Sequence, residues 1–166
     1  MKITTLEPPY QKEMIQNIAK AYQQAFAGYP WYEKWEISTI ISDFDKEMMK
    51  PGAICLVAET NANVIGFTWG YNVLSSPKLD EHLDAPELHQ QHKGKYFYID
   101  EAAVVPDYQK KGIGRELVTK ILDGREQVLL RTKVEGPMFN LVIKMGGEVI
   151  QRISRERVIM KIMTKK

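Results

Sequence analysis

Hydrophobic positions along the chain switch between two spacings, and the switches outline its elements. From Tyr10 to Phe26 the apolar residues Met14, Ile15, Ile18, Tyr22, Ala25 and Phe26 recur three and four apart, the period of a helix with one buried face, and Gly28 closes it. Ile37, Ile40, Ile41, Phe44 and Met48 repeat that spacing and predict a second helix, ended by Pro51-Gly52. Ala53–Glu59 and Val64–Asn72 are β-type runs on either side of T-N-A-N, which predicts a hairpin; Lys2–Leu6, stopped by Pro8-Pro9, predicts a short first strand. Lys95–Val105 is dense in aromatic and β-branched residues, as a buried central strand would be. After it Ile113, Leu117, Val118, Ile121 and Leu122 return to helical spacing until Gly124. Gln127–Thr132, Glu148–Ile153 and Arg157–Met163 predict the remaining strands, with a short helix over Pro137–Met145. Val73–Gly94 is polar and holds two prolines and all three histidines, which predicts a long loop with room for one helical turn. The succession is a mixed α/β pattern, expected to form a single domain over residues 1–166.

Composition narrows the function classes. A net charge of +2 gives no general support for nucleic-acid or membrane-surface binding, and no apolar run approaches the ~20 residues of a membrane span. With no apolar leader after Met1, a cytoplasmic location is expected. Cys55 lies inside A-I-C-L-V-A and reads as a small buried hydrophobe. His89 and His92 could meet on one helical turn, but no ligand set is completed around them and no metal is expected. Charge is uneven: acids outnumber bases between Asp80 and Glu101, whereas Lys110 onward and Arg152–Lys166 are basic. The acidic stretch suits either a cationic amine or plain solvation.

The stretch that carries chemistry is Val104–Leu117, V-V-P-D-Y-Q-K-K-G-I-G-R-E-L, set between the central strand and a helix. A helix N-terminus leaves about four amides unpaired and carries about half a positive charge. Gly112 and Gly114 let a ligand approach that backbone, and Lys110 and Lys111 add charge, so the turn reads as a phosphate or pyrophosphate site. It is not a P-loop, and Leu117 stands where a dinucleotide fingerprint needs its third glycine. Without a ligand the same residues would make only a tight corner.

The ordered set Val104, Pro106, Tyr108, Gln109, Gly112, Gly114 resembles the GNAT superfamily of acyl-CoA-dependent N-acetyltransferases. The resemblance implies a central, mostly antiparallel sheet of about seven strands flanked by about four helices, splayed between the fourth and fifth strands, with acetyl-CoA in the split. On the cofactor side it implies Val104, Val105, Gln109, Lys110, Lys111, Gly112, Ile113, Gly114, Arg115 and Asn140, with the backbone amide of Val104 or Val105 as oxyanion donor.

For the base the central strand offers Asp100 and Glu101. Simple alternation puts Tyr98, Asp100 and Ala102 on one face and Glu101 on the other, and counting back four from Val104 favours Asp100; a bulge would bring in Glu101 instead. Many members carry a tyrosine in the last helix as proton donor to the leaving thiolate, where this chain has Val142; Tyr98, Tyr71, Tyr108 or water remain for that role. Tyr29, Trp31, Tyr32 and Trp35, with Tyr71, are the candidates for holding the amine acceptor, by cation–π contact or as packing. The expected reaction is acetyl transfer from acetyl-CoA to an amine, a small molecule if Val73–Gly94 encloses the pocket and a peptide if the groove is open. The rival readings are a catalytically weak acyl-CoA-binding domain and a nucleotide-phosphate module. No nucleic-acid or membrane partner is expected, and the chain would act as monomer or homodimer.

Overall fold

The computed structural model describes residues 1–164, so Lys165 and Lys166 at the end of the basic tail lie outside the described residues. The chain runs β1 (Lys2–Thr5), α1 (Lys12–Ala27), α2 (Ile37–Glu47), β2 (Ile54–Thr60), β3 (Asn63–Leu74), α3 (Pro77–Leu83), α4 (Leu88–Gln91), β4 (Lys95–Val104), α5 (Ile113–Leu122), β5 (Gln127–Lys133), α6 (Pro137–Lys144), β6 (Glu148–Arg152) and β7 (Arg157–Met163). The strands form one sheet in the order β1-β2-β3-β4-β5-β7-β6, antiparallel throughout except for β4 and β5. A parallel pair needs a long crossover, and α5 supplies it. Register between β4 and β5 holds only for Phe97↔Val128, Tyr98↔Leu129 and Ile99↔Leu130. Beyond Ile99 and Leu130 the two strands no longer pair with each other, although β4 stays paired with β3 to Val104 and β5 with β7 to Lys133, so the sheet opens there into the expected split.

Apolar periodicity decides which helix covers which face. Leu117, Val118 and Ile121 of α5 pack with Phe97, Ile99, Leu130 and Met160 on one side, with Val142 of α6 fully buried among them. On the other side Ile18, Tyr22 and Phe26 of α1 and Ile40 and Phe44 of α2 pack on Cys55, Val57, Phe67 and Trp69. Cys55 is fully buried, and burial pushes its thiol pKa up, consistent with packing rather than reactivity. Among the described residues no helix is long and apolar enough to cross a membrane.

Two expectations need correction. Val73–Gly94 is not a loop: the Ser76 hydroxyl accepts from the Leu79 amide at 3.2 Å and caps α3, and Leu79, Leu83, Ala85 and Leu88 are buried against Tyr71, Tyr96 and Tyr98. The Asp80 carboxylate ties α3 to α4, accepting from the His89 amide at 3.0 Å and pairing with the His89 ring. With α3 and α4 the described residues hold six α-helices rather than about four.

The second correction concerns β4. Trp69 pairs with Glu101 but Gly70 pairs with Ile99, so Asp100 is an extra residue, a β-bulge. The bulge breaks strict alternation. Ala102 packs with Phe97 and Ile99 toward α5, while Glu101 turns to the face of Tyr98 and reaches Tyr22 of α1. Gly70 makes room for it: a Cβ there would stand 2.2 Å from the Tyr98 carbonyl oxygen and 2.7 Å from the Phe97 ring.

Candidate functional site

At the end of β4 the Val105 amide donates to the Ile65 carbonyl at 2.9 Å, completing the pairing with β3. Backbone groups alternate in direction along a strand, so the Val104 amide points the other way, into the split. The Gln109 side chain then folds back and donates to the Val104 carbonyl at 2.9 Å, fixing the turn against the strand. Lys110 (φ 61°) and Gly112 (φ 86°) take left-handed backbone, which carries the chain abruptly into α5. Gly112 caps α5 with no side chain, so no capping oxygen competes for the first-turn amides of Ile113, Gly114 and Arg115.

These groups border a cleft of about 570 Å³. One wall is β4 from Ala102 to Val104, another is the α5 N-terminus, and Pro137, Met138 and Leu141 of α6 close it with apolar surface. Lys110, Arg115 and Lys144 bring positive charge to it, and Asn140 adds an amide. A phosphate-bearing ligand with a long, less polar arm fits that distribution. A Cβ at Gly114 would lie 3.7 Å from Val104 and 3.8 Å from Leu141, ordinary contacts that would set a methyl group between two of the cleft-lining residues.

A second cavity, about 310 Å³, lies on the α1–α2 side of the same strand, and Trp31 stands in the wall of both. Glu33, Asp43, Glu47, Asp100 and Glu101 line it beside Tyr22, Trp35, Trp69 and Tyr98, with Arg131 and Arg157 also contributing. Glu101 accepts from the Tyr22 hydroxyl at 2.9 Å; burial, and next the charge of Asp100, push its pKa up to about 8. Glu47 accepts from the Trp69 indole and lies within hydrogen-bonding reach of Asp100; burial, then that contact, push it up to about 9. The Tyr71 hydroxyl donates to Asp100 at 3.4 Å. Burial raises the pKa values of Tyr22, Tyr71 and Tyr98, which therefore hold their protons. The arrangement can bind a cationic or neutral amine and take a proton from it.

Of the residues expected around the cofactor, Val104, Gln109, Lys110, Gly112, Ile113, Gly114, Arg115 and Asn140 line the cleft. Val105 does not: its amide is engaged with Ile65 and its side chain is buried against the α1–α2 side. Lys111 lies over the Tyr108 ring at 5.4 Å, outside the lining. Asp100, Glu101 and Tyr98 meet in the smaller cavity with Trp31 and Trp35. Tyr29 and Tyr32 are exposed and pack on each other, ring centroids 6.2 Å apart, and Tyr71 reaches the cavity only through Asp100. Val73–Gly94 contributes no lining residue; it steadies Arg131, which donates to the Leu83 carbonyl at 3.3 Å and pairs with Asp84 at 3.6 Å. Sequence reasoning missed Glu47, Asp43, Arg157 and Lys144. The signal for the first two was carboxylates one turn apart on α2. Among the described residues no group of three or more His, Cys, Asp and Glu is arranged for a metal ion.

The profile of the Acetyltransferase (GNAT) family matches residues 13–134. No curated protein sequence matches significantly. Similar solved structures include a protein of Pyrococcus horikoshii (18% identity, TM-score 0.72, 99% of this chain and 100% of that one). Another is the PaiA N-acetyltransferase of Thermoplasma acidophilum in complex with coenzyme A (14% identity, TM-score 0.68, 99% and 100%). A third is NAA60 of Arabidopsis thaliana in complex with acetyl-CoA (14% identity, TM-score 0.64, 98% and 98%).

Proposed function

The chain belongs to the GNAT acetyltransferase family, and on that footing we propose that it is an acetyl-CoA-dependent N-acetyltransferase acting on a small-molecule amine, folded as one domain. The observation that carries the proposal is that a phosphate-suited cleft and a carboxyl-lined cavity meet on one strand, β4, with Trp31 in the wall of both. Acetyl-CoA, when bound, supplies an acetyl thioester. The α5 amides with Lys110, Arg115 and Lys144 hold its phosphates, and Pro137, Met138 and Leu141 line its less polar arm. The Val104 amide points into the split as a donor for developing negative charge on oxygen. Glu101 takes the proton of the amine: a base with a pKa of about 8 is matched to work near neutral pH. Tyr108 lines the cleft and is the hydroxyl assigned to the leaving sulfur, since the α6 position used by many relatives is Val142, wholly inside the core.

Val73–Gly94 does not line the cavity, so the enclosure expected for a small acceptor is not what supports this reading. Its support is the volume of about 310 Å³, at the low end of ligand pockets of roughly 300–1,000 Å³. Acetyl-CoA and CoA at about 100 times their dissociation constants are expected to stabilise the fold by about 2.7 kcal/mol, while ATP and NAD do not. Labelled acetyl-CoA is then incubated with a panel of small amines and peptides. Acetylation of small amines is expected. Binding without transfer to any acceptor would make the chain an acyl-CoA-binding domain instead.

A further inference from the structure

The smaller cavity carries two opposite charges that do not meet. β4 and β5 part after Ile99↔Leu130, so Asp100 and Arg131 are the next residues on either side of the opening. Asp100 and Glu101 of β4, Asp43 and Glu47 of α2 and Glu33 ahead of α2 give the cavity its acids; Arg131 of β5 and Arg157 of β7 give it its cations. Arg131 and Lys133 stand two apart on β5 and Arg157 pairs in register with Lys133, so all three share one face of the sheet.

These three cations differ in what already holds them. Lys133 is engaged: it donates to the Pro30 carbonyl at 3.3 Å, lies 5.1 Å from the Trp31 ring centroid and pairs with Glu156 at 4.0 Å. Arg131 is held through Nη1 alone, by the Leu83 carbonyl and Asp84, which leaves the rest of its five-donor fork unengaged. Among the described residues the half-buried Arg157 side chain has no hydrogen-bond or ion-pair partner. Nor does either arginine pair with any of the five acids. The cofactor does not account for them, because its cleft draws on Lys110, Arg115 and Lys144 and neither arginine lines it.

We propose that the acceptor is an amine that also carries a carboxylate, an amino acid or a close analogue. Its amino group lies on the Asp100–Glu101 side and its carboxylate on Arg157 and the unengaged donors of Arg131. The inference deepens the acetyltransferase reading and rests on it. A guanidinium presents paired N–H donors that match the two oxygens of a carboxylate. A ligand with both charges therefore satisfies both walls. A plain amine leaves the arginines unpaired, and a diamine sets a second cation against them, which is discrimination by repulsion.

The test compares leucine, phenylalanine and β-alanine with their carboxamides as acceptors, with lysine against cadaverine alongside. Amidation removes the carboxylate charge and also lowers the amine pKa, so intrinsic reactivity near neutral pH favours the amide. Higher kcat/KM for the acids is expected, and lysine should be preferred to cadaverine. Arg157→Met should raise the KM of the acids about tenfold or more, the usual worth of a hydrogen bond between charged groups. It should raise that of the amides far less, and Arg157→Lys should recover part of the loss. Acids and amides used equally well, or KM values for both raised alike by Arg157→Met, would overturn the proposal. Absence of transfer to every probe would count against the acetyltransferase reading, and calorimetric titration of the same probes then judges the acceptor by itself. Tighter binding of the acids than of their amides, lost in Arg157→Met, is expected there; no such difference would overturn it.

Discussion

The Tyr22 hydroxyl donates to Glu101 Oε1 at 2.9 Å, linking α1 to β4 across 79 positions of sequence. That bond exists because Asp100 bulges out of β4 and turns Glu101 to the α1 face. It also lowers the Glu101 pKa against the larger opposing effect of burial. The phenol therefore holds the Glu101 pKa below the value that burial and Asp100 alone would give it.

Glu101 is protonated below its pKa of about 8 and ionised above it, so the rate is expected to rise through that pH. Glu101→Gln should remove this limb and lower kcat by about 10²–10⁴-fold, the usual worth of a positioned base. Tyr22→Phe should move the limb to higher pH, because the bond it removes favours the ionised form. The check is a pH–rate profile for each variant.

Gly112 and Gly114 should separate stability from binding. Gly112 has φ 86°, so Gly112→Ala is expected to cost about 1–2 kcal/mol of stability. Gly114 sits in α5, where a Cβ meets ordinary contacts at 3.7 and 3.8 Å. Gly114→Ala should leave the fold as stable or up to about 1 kcal/mol more so, since alanine is the better helix former. It should still weaken acetyl-CoA binding about tenfold or more, as overpacking against a ligand costs about 1–3 kcal/mol. Urea unfolding and calorimetric titration of the two variants distinguish these effects.

Gly70→Ala tests the bulge. Its Cβ would fall 2.2 Å from the Tyr98 carbonyl oxygen, a backbone atom with no flexible escape. The strand pair must shift, at a cost of about 1–3 kcal/mol, and Asp100 and Glu101 shift with it. The variant should melt earlier and lose activity while retaining acetyl-CoA affinity.

Stability itself should depend on pH. Glu47 and Glu101 keep protons in the folded state up to about pH 9 and 8, which an unfolded chain releases near the ordinary glutamate value of about 4.3. Between those limits the folded state binds more protons, so stability is expected to fall as pH rises from about 5 toward 8. Glu47→Gln should flatten that decline, which denaturant unfolding at pH 5.5 and 8.5 would show.

The turn and the succession of elements along the chain were legible because they rest on local rules, whereas the arrangement of strands in the sheet was expected only from the family resemblance. Glycines at a strand-to-helix corner and apolar period are written in adjacent residues, and Val104–Gly114 folds as that pattern implies. Asp100 and Glu101 were both visible as candidates, but their faces were not, because alternation fails at a bulge and the bulge is made possible by Gly70 on the neighbouring strand. Glu47 was hidden differently. Its helix shows a clear apolar stripe through Ile40 and Phe44, and nothing local says that the carboxylate one turn along meets Asp100. In Val73–Gly94 the helices are too short for periodicity to show; the Ser76 cap and the Asp80–His89 tie hold them instead. The aromatic run near α2 divided for a similar reason, since which of Tyr29, Trp31, Tyr32 and Trp35 turn inward depends on contacts with Phe26 and Tyr22.

In the proposed reaction β4 joins an acetyl-CoA cleft to an amine cavity served by Glu101. Its most direct test is the transfer of isotope-labelled acetyl from acetyl-CoA to small amines, followed by mass spectrometry across pH 6–9, with Glu101→Gln alongside. N-acetylated product is expected to accumulate faster as pH rises through about 8, with little product from the variant at any pH despite unchanged acetyl-CoA binding. Acetyl-CoA binding with no labelled amine, or a variant as fast as the wild type, would rule that reaction out.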